Sequence, residues 1–412
     1  MNMKPTLKRG WCPSLFKPME TGDGFLVRIK PFLSRITSEQ AHFIADTANR
    51  LGNGLINLSQ KANLQLRGFS RQNMLRIIPE VIYNHLSAPT SYQEKKRNLL
   101  VSPLAALDPL CDPATEWIAQ HLQTMLLRTN GLSRLSGKFS FIVDGDGQYP
   151  LTDCFSDINL RAYQGQWVIQ LGHTQKVMVC SAEKAPLFVM KLAKYLAQHD
   201  PRRLIHDPEA DKLFEIFETQ LINYNPPPLK RSSSVGVIGE NLGIGVGIPY
   251  GLMHADDLHQ LAEVAQHHGD GMLHLTPWRS IILSHCSKEL LSFFPRLITD
   301  EQDFRSHIIA CPGKPYCPRS AINILQDAPI LAQTWGNNRG YLHISGCPKG
   351  CALPDVNSIT LCATDNGYNI IINGKADTDT VYMHLSLPET VAFLKHHPAP
   401  SSIKNSSENS LQ

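Results

Sequence analysis

The chain repeats itself. Residues 42–59, HFIADTANRLGNGLINLS, return as residues 259–276, HQLAEVAQHHGDGMLHLT. At a constant offset of 217 positions, His42 meets His259, Ala45 meets Ala262 and Ala48 meets Ala265. Gly52 and Gly54 meet Gly269 and Gly271, and Leu58 meets Leu275. Such a repeat outweighs local propensity, because one supersecondary unit must be built twice and packed against its copy. Phe43, Ile44, Ala48 and Leu51 recur at helical spacing behind Thr37-Ser-Glu-Gln40, a capping-box pattern. The Gly-x-Gly ends that helix and a short strand follows. Each copy reads as strand, helix, strand.

The duplication extends further. Residues 158–172 form a predicted hairpin about a Gln-Gly turn, and residues 357–374 form another about Asp365-Asn366-Gly367. A helix is expected after each, near 183–198 and near 388–397. Between them lies Tyr224-Asn-Pro-Pro-Pro-Leu-Lys-Arg-Ser-Ser-Ser234, a linker composition. The expectation is two related α+β halves with a cleft between them, which is where ligands preferentially bind. The Ser- and Asn-rich tail is expected to be disordered.

One half carries an addition. Residues 311–321 read CPGKPYCPRSA and residues 345–354 read SGCPKGCALP, giving Cys311-x5-Cys317 and Cys347-x3-Cys351. Gly and Pro bend the chain so that both sulfurs of a pair can face one point. Four thiolates fit a [4Fe–4S] cluster. They also fit structural zinc, although the x5 spacing is wide for zinc; unrelated buried thiols are the third reading. The other cysteines, Cys12, Cys111, Cys154, Cys180, Cys286 and Cys362, read as small buried side chains.

Composition narrows the class. Apolar residues make up 42% and charged residues 18% of the 412 positions, a globular balance. A formal charge of +3 does not imply nucleic acid, so any cationic site must be local. No run of 18 apolar residues and no signal-peptide pattern occurs, so a cytoplasmic protein without membrane contact is expected. There the cysteines stay reduced.

In LSQKANLQLRG, strand alternation sets Lys61, Asn63, Gln65 and Arg67 on one face against Ala62, Leu64 and Leu66 on the other. That pattern fits a cationic binding face, and equally a solvated strand face. Trp278 and Arg279 stand at the corresponding turn of the second copy, where both could lie against a flat anionic ligand. Lys138 is expected to open the strand KFSFIVD, which Asp144-Gly-Asp-Gly147 ends; turn chemistry accounts for those aspartates as readily as metal ligation. The glycines of 236–247 do not satisfy Gly-x-Gly-x-x-Gly before a helix and read as strand and turn. No Walker loop or flavin fingerprint is present, so electrons are expected from elsewhere.

Together these features resemble the sulfite and nitrite reductase superfamily, whose members duplicate a ferredoxin-like unit and bind a [4Fe–4S] cluster through Cys-x5-Cys and Cys-x3-Cys. They hold sirohaem in the cleft. The resemblance implies an α+β fold of duplicated halves, each with a ferredoxin-like unit, around a central tetrapyrrole cleft. It divides the chain into 1–80 and 235–300 (ferredoxin-like), 81–223 and 301–398 (α+β, the latter with the cysteines), a linker at 224–234 and a tail at 399–412. Two departures stand out. The reductases carry Thr-x-Arg-Gln, whose Arg grips the inorganic anion, where this chain has Ser59-Gln-Lys61-Ala. They also carry an Arg where this chain has Gly137. Lysine does not reproduce a bidentate guanidinium grip.

A nearer likeness is to the precorrin-3B synthases of aerobic cobalamin synthesis, through RGWCPSLFKPMETGDGFLVRIKP (9–31), KANLQLRG (61–68), LSGKFSFIVDGDG (135–147), GIPYG (247–251) and LTPWRSIIL (275–283). That resemblance implies monooxygenation of precorrin-3A by dioxygen with lactone formation. It implies a [4Fe–4S] cluster on Cys311, Cys317, Cys347 and Cys351, and a mononuclear non-haem iron, for which Asp144 is the candidate catalytic residue. An external donor, an NADH-dependent reductase or a ferredoxin-like protein, would supply electrons. Lys61, Arg67, Lys138 and Arg279 are the candidate contacts for substrate carboxylates. Two other readings remain: a sirohaem-dependent sulfite or nitrite reductase, and a non-catalytic iron–sulfur carrier or zinc scaffold.

Overall fold

The structure is a computed structural model that describes residues 12–217, 221–226, 231–337, 340–353, 356–378 and 382–396. The expected tail at 399–412 and part of the expected linker lie outside the described residues.

The first half opens with a hairpin of β1 (Met19–Thr21) and β2 (Gly24–Ile29), followed by β3 (Arg35–Thr37), α1 (Ser38–Leu51), β4 (Leu55–Leu58), β5 (Leu64–Phe69) and α2 (Arg71–Tyr83). Thr37 closes the expected capping box with Gln40 at the start of α1. Next come α3 (Ser91–Lys96), β6 (Leu99–Val101), α4 (Thr115–Arg128), β7 (Phe141–Asp144), β8 (Ile158–Tyr163), β9 (Gln166–Leu171), β10 (Lys176–Cys180), α5 (Ala185–His199) and β11 (Leu221–Asn223). The second half repeats the plan with β12 (Gly236–Ile238), β13 (Gly243–Gly247), β14 (Leu252–His254), α6 (Ala255–His268), β15 (Met272–Leu275) and β16 (Ser280–Ser284). It continues through β17 (Ile308–Ala310), α7 (Ile324–Trp335), β18 (Leu342–Ser345), β19 (Asn357–Thr364), β20 (Gly367–Gly374), β21 (Tyr382–Leu385) and α8 (Leu387–His396). Both expected hairpins form, β8–β9 and β19–β20, each followed by its helix.

The two ferredoxin-like units are interlocked. One sheet runs β1-β2-β5-β4-β14 and the other β12-β13-β16-β15-β3, so each half lends one strand to the other's sheet. The exchange is symmetric: Ile36 of β3 pairs with Leu273, and Met253 of β14 pairs with Ile56. These pairs map onto each other at the offset of the repeat. The same symmetry reaches single hydrogen bonds, since Ser38 N–H donates to Gly271 O and Ala255 N–H donates to Gly54 O, both at 2.8 Å. Gly54 and Gly271 have φ of 76° and 74°, backbone that favours glycine. Helices α1 and α6 pack on each other, and His42 meets its own counterpart His259 at 2.8 Å between Nδ1 atoms. The pseudo-twofold axis passes between these rings. One hydrophobic core spans both units, with Ile44, Ala48 and Leu66 joined to Val246, Leu261 and Leu283.

The remaining sheets, β11-β10-β9-β8-β7-β6 and β17-β18-β19-β20-β21, also correspond. In each, three parallel strands lead into antiparallel ones. Each has its own core. No helix among the described residues is long and apolar enough to cross a membrane.

His274 of β15 ties the halves together, donating from Nδ1 to Pro103 O at 2.8 Å. Burial pushes its pKa from 6.5 down to about 4. The folded protein therefore keeps this ring neutral while the unfolded chain binds a proton below pH 6.5. Stability is present in full above that pH and is lost as pH falls towards about 4. The loss amounts to roughly 3 kcal/mol at 1.36 kcal/mol per pKa unit. Denaturant titrations from pH 7 to 4 are expected to show a steeper loss for the parent than for His274→Asn.

Candidate functional site

The cysteine loops leave the carboxyl ends of two neighbouring parallel strands. Cys311 follows β17 directly, and Cys347 lies two residues beyond β18. Those loops meet the β1–β2 hairpin and the β4–β5 turn of the first half across a cleft of about 480 Å³. All four cysteines, Cys311, Cys317, Cys347 and Cys351, line it. Cys311 Sγ accepts the Gly346 N–H at 3.1 Å. Burial pushes the Cys311 thiol up to about 11; the N–H groups of Gly313 and Gly346 counter the rise, and nearby Cys317 and Cys347 add to it. Among the described residues, no three His, Cys, Asp or Glu side chains converge on one point to hold a single ion. Four thiols lining one cleft are the donor set that a four-iron cluster takes.

The cleft wall is cationic. Among the described residues, six basic side chains line it, Arg28, Arg67, Lys138, Arg279, Arg319 and Lys349, and no carboxylate does. Sequence reasoning missed Arg28, Arg319 and Lys349. Arg28 was legible in strand alternation: Val27 and Ile29 enter the core while Leu26 and Arg28 line the cleft. Among the described residues its Nε is buried without a hydrogen-bond partner. Cys12, expected to be core, also lines the cleft.

The four expected carboxylate contacts divide. Lys138 is exposed at the cleft, in the turn before β7 rather than within a strand. Arg279 lines the cleft with φ of 61°, donates from Nη2 to Ala352 O at 3.2 Å, and is pulled down to about 10 by burial, so it stays charged at neutral pH. Arg67 reaches the cleft, but most of its N–H donors are already used. Its Nε and Nη2 engage Asp23 at 2.9 and 2.7 Å, Nη1 engages Asn57, and Nη2 also donates to Tyr316 O. Lys61 precedes β5 and is not among the lining residues; its ammonium donates to Phe155 O at 2.7 Å and to Ser156 Oγ at 3.4 Å. Trp278 also stands off the cleft, under the Arg231 guanidinium at 4.1 Å.

Asp144 lies in another place. Its Oδ2 accepts from Arg161 Nη1 at 2.7 Å and Leu151 N–H at 3.1 Å; its Oδ1 accepts from Ser102 Oγ at 3.3 Å and Asp146 N–H at 3.1 Å. Those four donors fill a carboxylate's acceptor sites. The residues around Asp144 do not fit a non-haem iron ligand set. Internal symmetry explains the site. Ser102 N–H donates to Val143 O as Cys311 N–H donates to Ile344 O, and Ser102 Oγ accepts Gly145 N–H as Cys311 Sγ accepts Gly346 N–H. The first half places the Ser102 oxygen where the second places the Cys311 sulfur, and a buried ion pair fills the space.

Residues 17–81 and 239–292 match the nitrite/sulfite reductase ferredoxin-like half domain, one copy in each interlocked unit. Over 90% of this chain and 84% of the relative, the sequence is 26% identical to precorrin-3B synthase of Sinorhizobium sp. It is 23% identical to ferredoxin–nitrite reductase of Synechococcus elongatus, covering 90% of this chain and 83% of that protein. The NirA protein of Mycobacterium tuberculosis superposes with a TM-score of 0.70 at 16% identity, covering 90% of this chain and 79% of that one.

Because the Asp23 side chain is largely shielded against Arg67, Arg67→Ala leaves its charge with no counter-ion and only the neutral donors Thr21 and Asn53. It is expected to cost about 3–5 kcal/mol in denaturant unfolding. Exposed Lys138→Ala is expected to stay within about 0.5 kcal/mol of the parent. By sequence the chain resembles precorrin-3B synthase, and by fold it has the duplicated architecture of the nitrite and sulfite reductases.

Proposed function

We propose that this protein is an oxygen-dependent oxidoreductase acting on a precorrin, converting precorrin-3A with insertion of one oxygen atom and lactone formation, the other atom leaving as water. The reading is supported by similarity to a precorrin-3B synthase along most of both chains. The observation that carries it over inorganic anion reduction is Lys61. It stands where the resemblance to the reductases puts an anion-gripping arginine, yet its ammonium is bonded to Phe155 and Ser156. Neutral Ser59 and Gln60 line the cleft there instead.

A precorrin is a flat macrocycle fringed by carboxylates. Arg28, Lys138 and Arg279 offer cations from three separate elements, and Leu26, Leu58 and Pro312 offer apolar surface between them. Each charge-assisted contact contributes roughly 1.5–3 kcal/mol when shielded from water. Among the described lining residues there is no carboxylate side chain to repel the substrate's own. Cys311, Cys317, Cys347 and Cys351 would hold a [4Fe–4S] cluster, which supplies electrons one at a time when bound. The electrons come from a separate donor, an NADH-dependent reductase or a ferredoxin-like protein. Among the described residues, no ligand set for a non-haem iron comes together.

Serine at any of the four cysteines is expected to remove most of the iron and sulfide from protein isolated without oxygen, while Cys154→Ser retains both. Mass spectrometry under labelled dioxygen is expected to find one labelled atom in the tetrapyrrole product. Sulfite or nitrite turnover at about 1 per second or faster, with sirohaem bound and no label in a precorrin, would make the protein a reductase instead.

A further inference from the structure

The loop that carries Cys311 and Cys317 is held from the opposite half. Two donors from the first half converge on one carbonyl, that of Tyr316, next to Cys317. Gly22 N–H, at the tip of the β1–β2 hairpin, donates to it at 3.0 Å. Arg67 Nη2, from β5, donates to it at 3.0 Å, and the guanidinium lies 5.4 Å from the Tyr316 ring centre. Asp23 grips the same guanidinium through both carboxylate oxygens. Burial works against the Asp23 carboxylate, but the Arg67 bonds and charge, with Thr21 and Asn53, hold its pKa below the ordinary value. The approach leaves no room for a side chain at the tip: a Cβ on Gly22 would stand 1.9 Å from Pro315 O.

We propose that Gly22, Asp23 and Arg67 form a clasp that positions Cys317 from the half lacking the cluster cysteines and sets the charge beside the cluster. The inference rests on the reading that the four cysteines hold a [4Fe–4S] cluster. Two consequences follow from the chemistry. A bulkier tip pushes on the loop and impairs loading. Reduction adds one negative charge to the cluster, and cluster potentials respond to nearby charge and hydrogen bonding. Removing either member of the Asp23–Arg67 pair therefore moves the potential, and the two removals move it in opposite directions. Loosening of the loop alone gives no such sign reversal.

The test uses the full chain, loaded with iron and sulfide without oxygen, in parent, Gly22→Ala, Asp23→Asn, Arg67→Gln and Arg67→Lys forms. Iron and labile sulfide per chain report loading, paramagnetic resonance of the reduced protein reports cluster type, and a potentiometric titration reports the midpoint of the loaded fraction. Gly22→Ala is expected to load several-fold less than the parent. The midpoint is expected to rise in Asp23→Asn, fall in Arg67→Gln and return towards the parent in Arg67→Lys. Where Arg67→Gln does not fold, Asp23→Asn decides by the sign of its shift. Parent-like loading and midpoints throughout, or shifts of the same sign in Asp23→Asn and Arg67→Gln, would overturn the clasp. A parent that takes up no cluster would overturn the cluster reading itself.

Discussion

Everything in this fold hangs on the exchange of β3 and β14 between the two ferredoxin-like units. A strand donated across the axis completes the partner's sheet, so neither unit satisfies its edge backbone alone. The exchange also joins the two interiors into one core. At the axis, His42 and His259 meet through Nδ1, which requires one ring to donate to the other. Asp46 accepts from the far nitrogen of His259 at 2.8 Å. Fixed in this way, the first half presents β1, β2 and β5 to loops of the second half, and the cleft takes its walls from both.

Duplication supplied two equivalent loop pairs, and they diverged. In the second half, Cys311 and its partners face the cleft. In the first, Ser102 takes the position of Cys311 and Asp144 is locked to Arg161, both 2% exposed or less as side chains. An unpaired carboxylate at that depth would be costly, so the arginine is part of what makes the substitution tolerable. One half thus carries the cysteine loops while the other carries a structural polar knot at the corresponding spot.

Charge in the cleft is divided by whether it is already satisfied. Arg67 is buried, doubly bonded to Asp23 and used to hold backbone, so it gives little to an incoming anion. Among the described residues, Arg28, Lys138 and Arg279 have no carboxylate partner, and they line the same space. A small protein-wide charge of +3 is compatible with this, because the described lining residues include six basic side chains and no acidic one.

The repeat, the hairpins, the capping box and the spacing of the cysteines were all legible in the sequence, because each depends on residues close together in the chain or on an offset that can be counted. The swap of β3 and β14 was not, since a three-residue strand has no local mark of which sheet it joins. Alternation correctly grouped Gln65 with Arg67 on one face but said nothing of what that face would meet. Only the tertiary structure brought Asp23 to Arg67, turned Lys61 towards Phe155 and wrapped Asp144 in four donors. Arg28 shows the same limit from the other side: its alternation was visible, but its meaning depended on loops almost 300 positions away. Sequence determines which chemical groups a chain owns and how each segment folds locally. Whether a given charge is free for a ligand or consumed by a neighbour is settled by long-range packing, because a partner distant in sequence decides the desolvation and hydrogen bonding of each group.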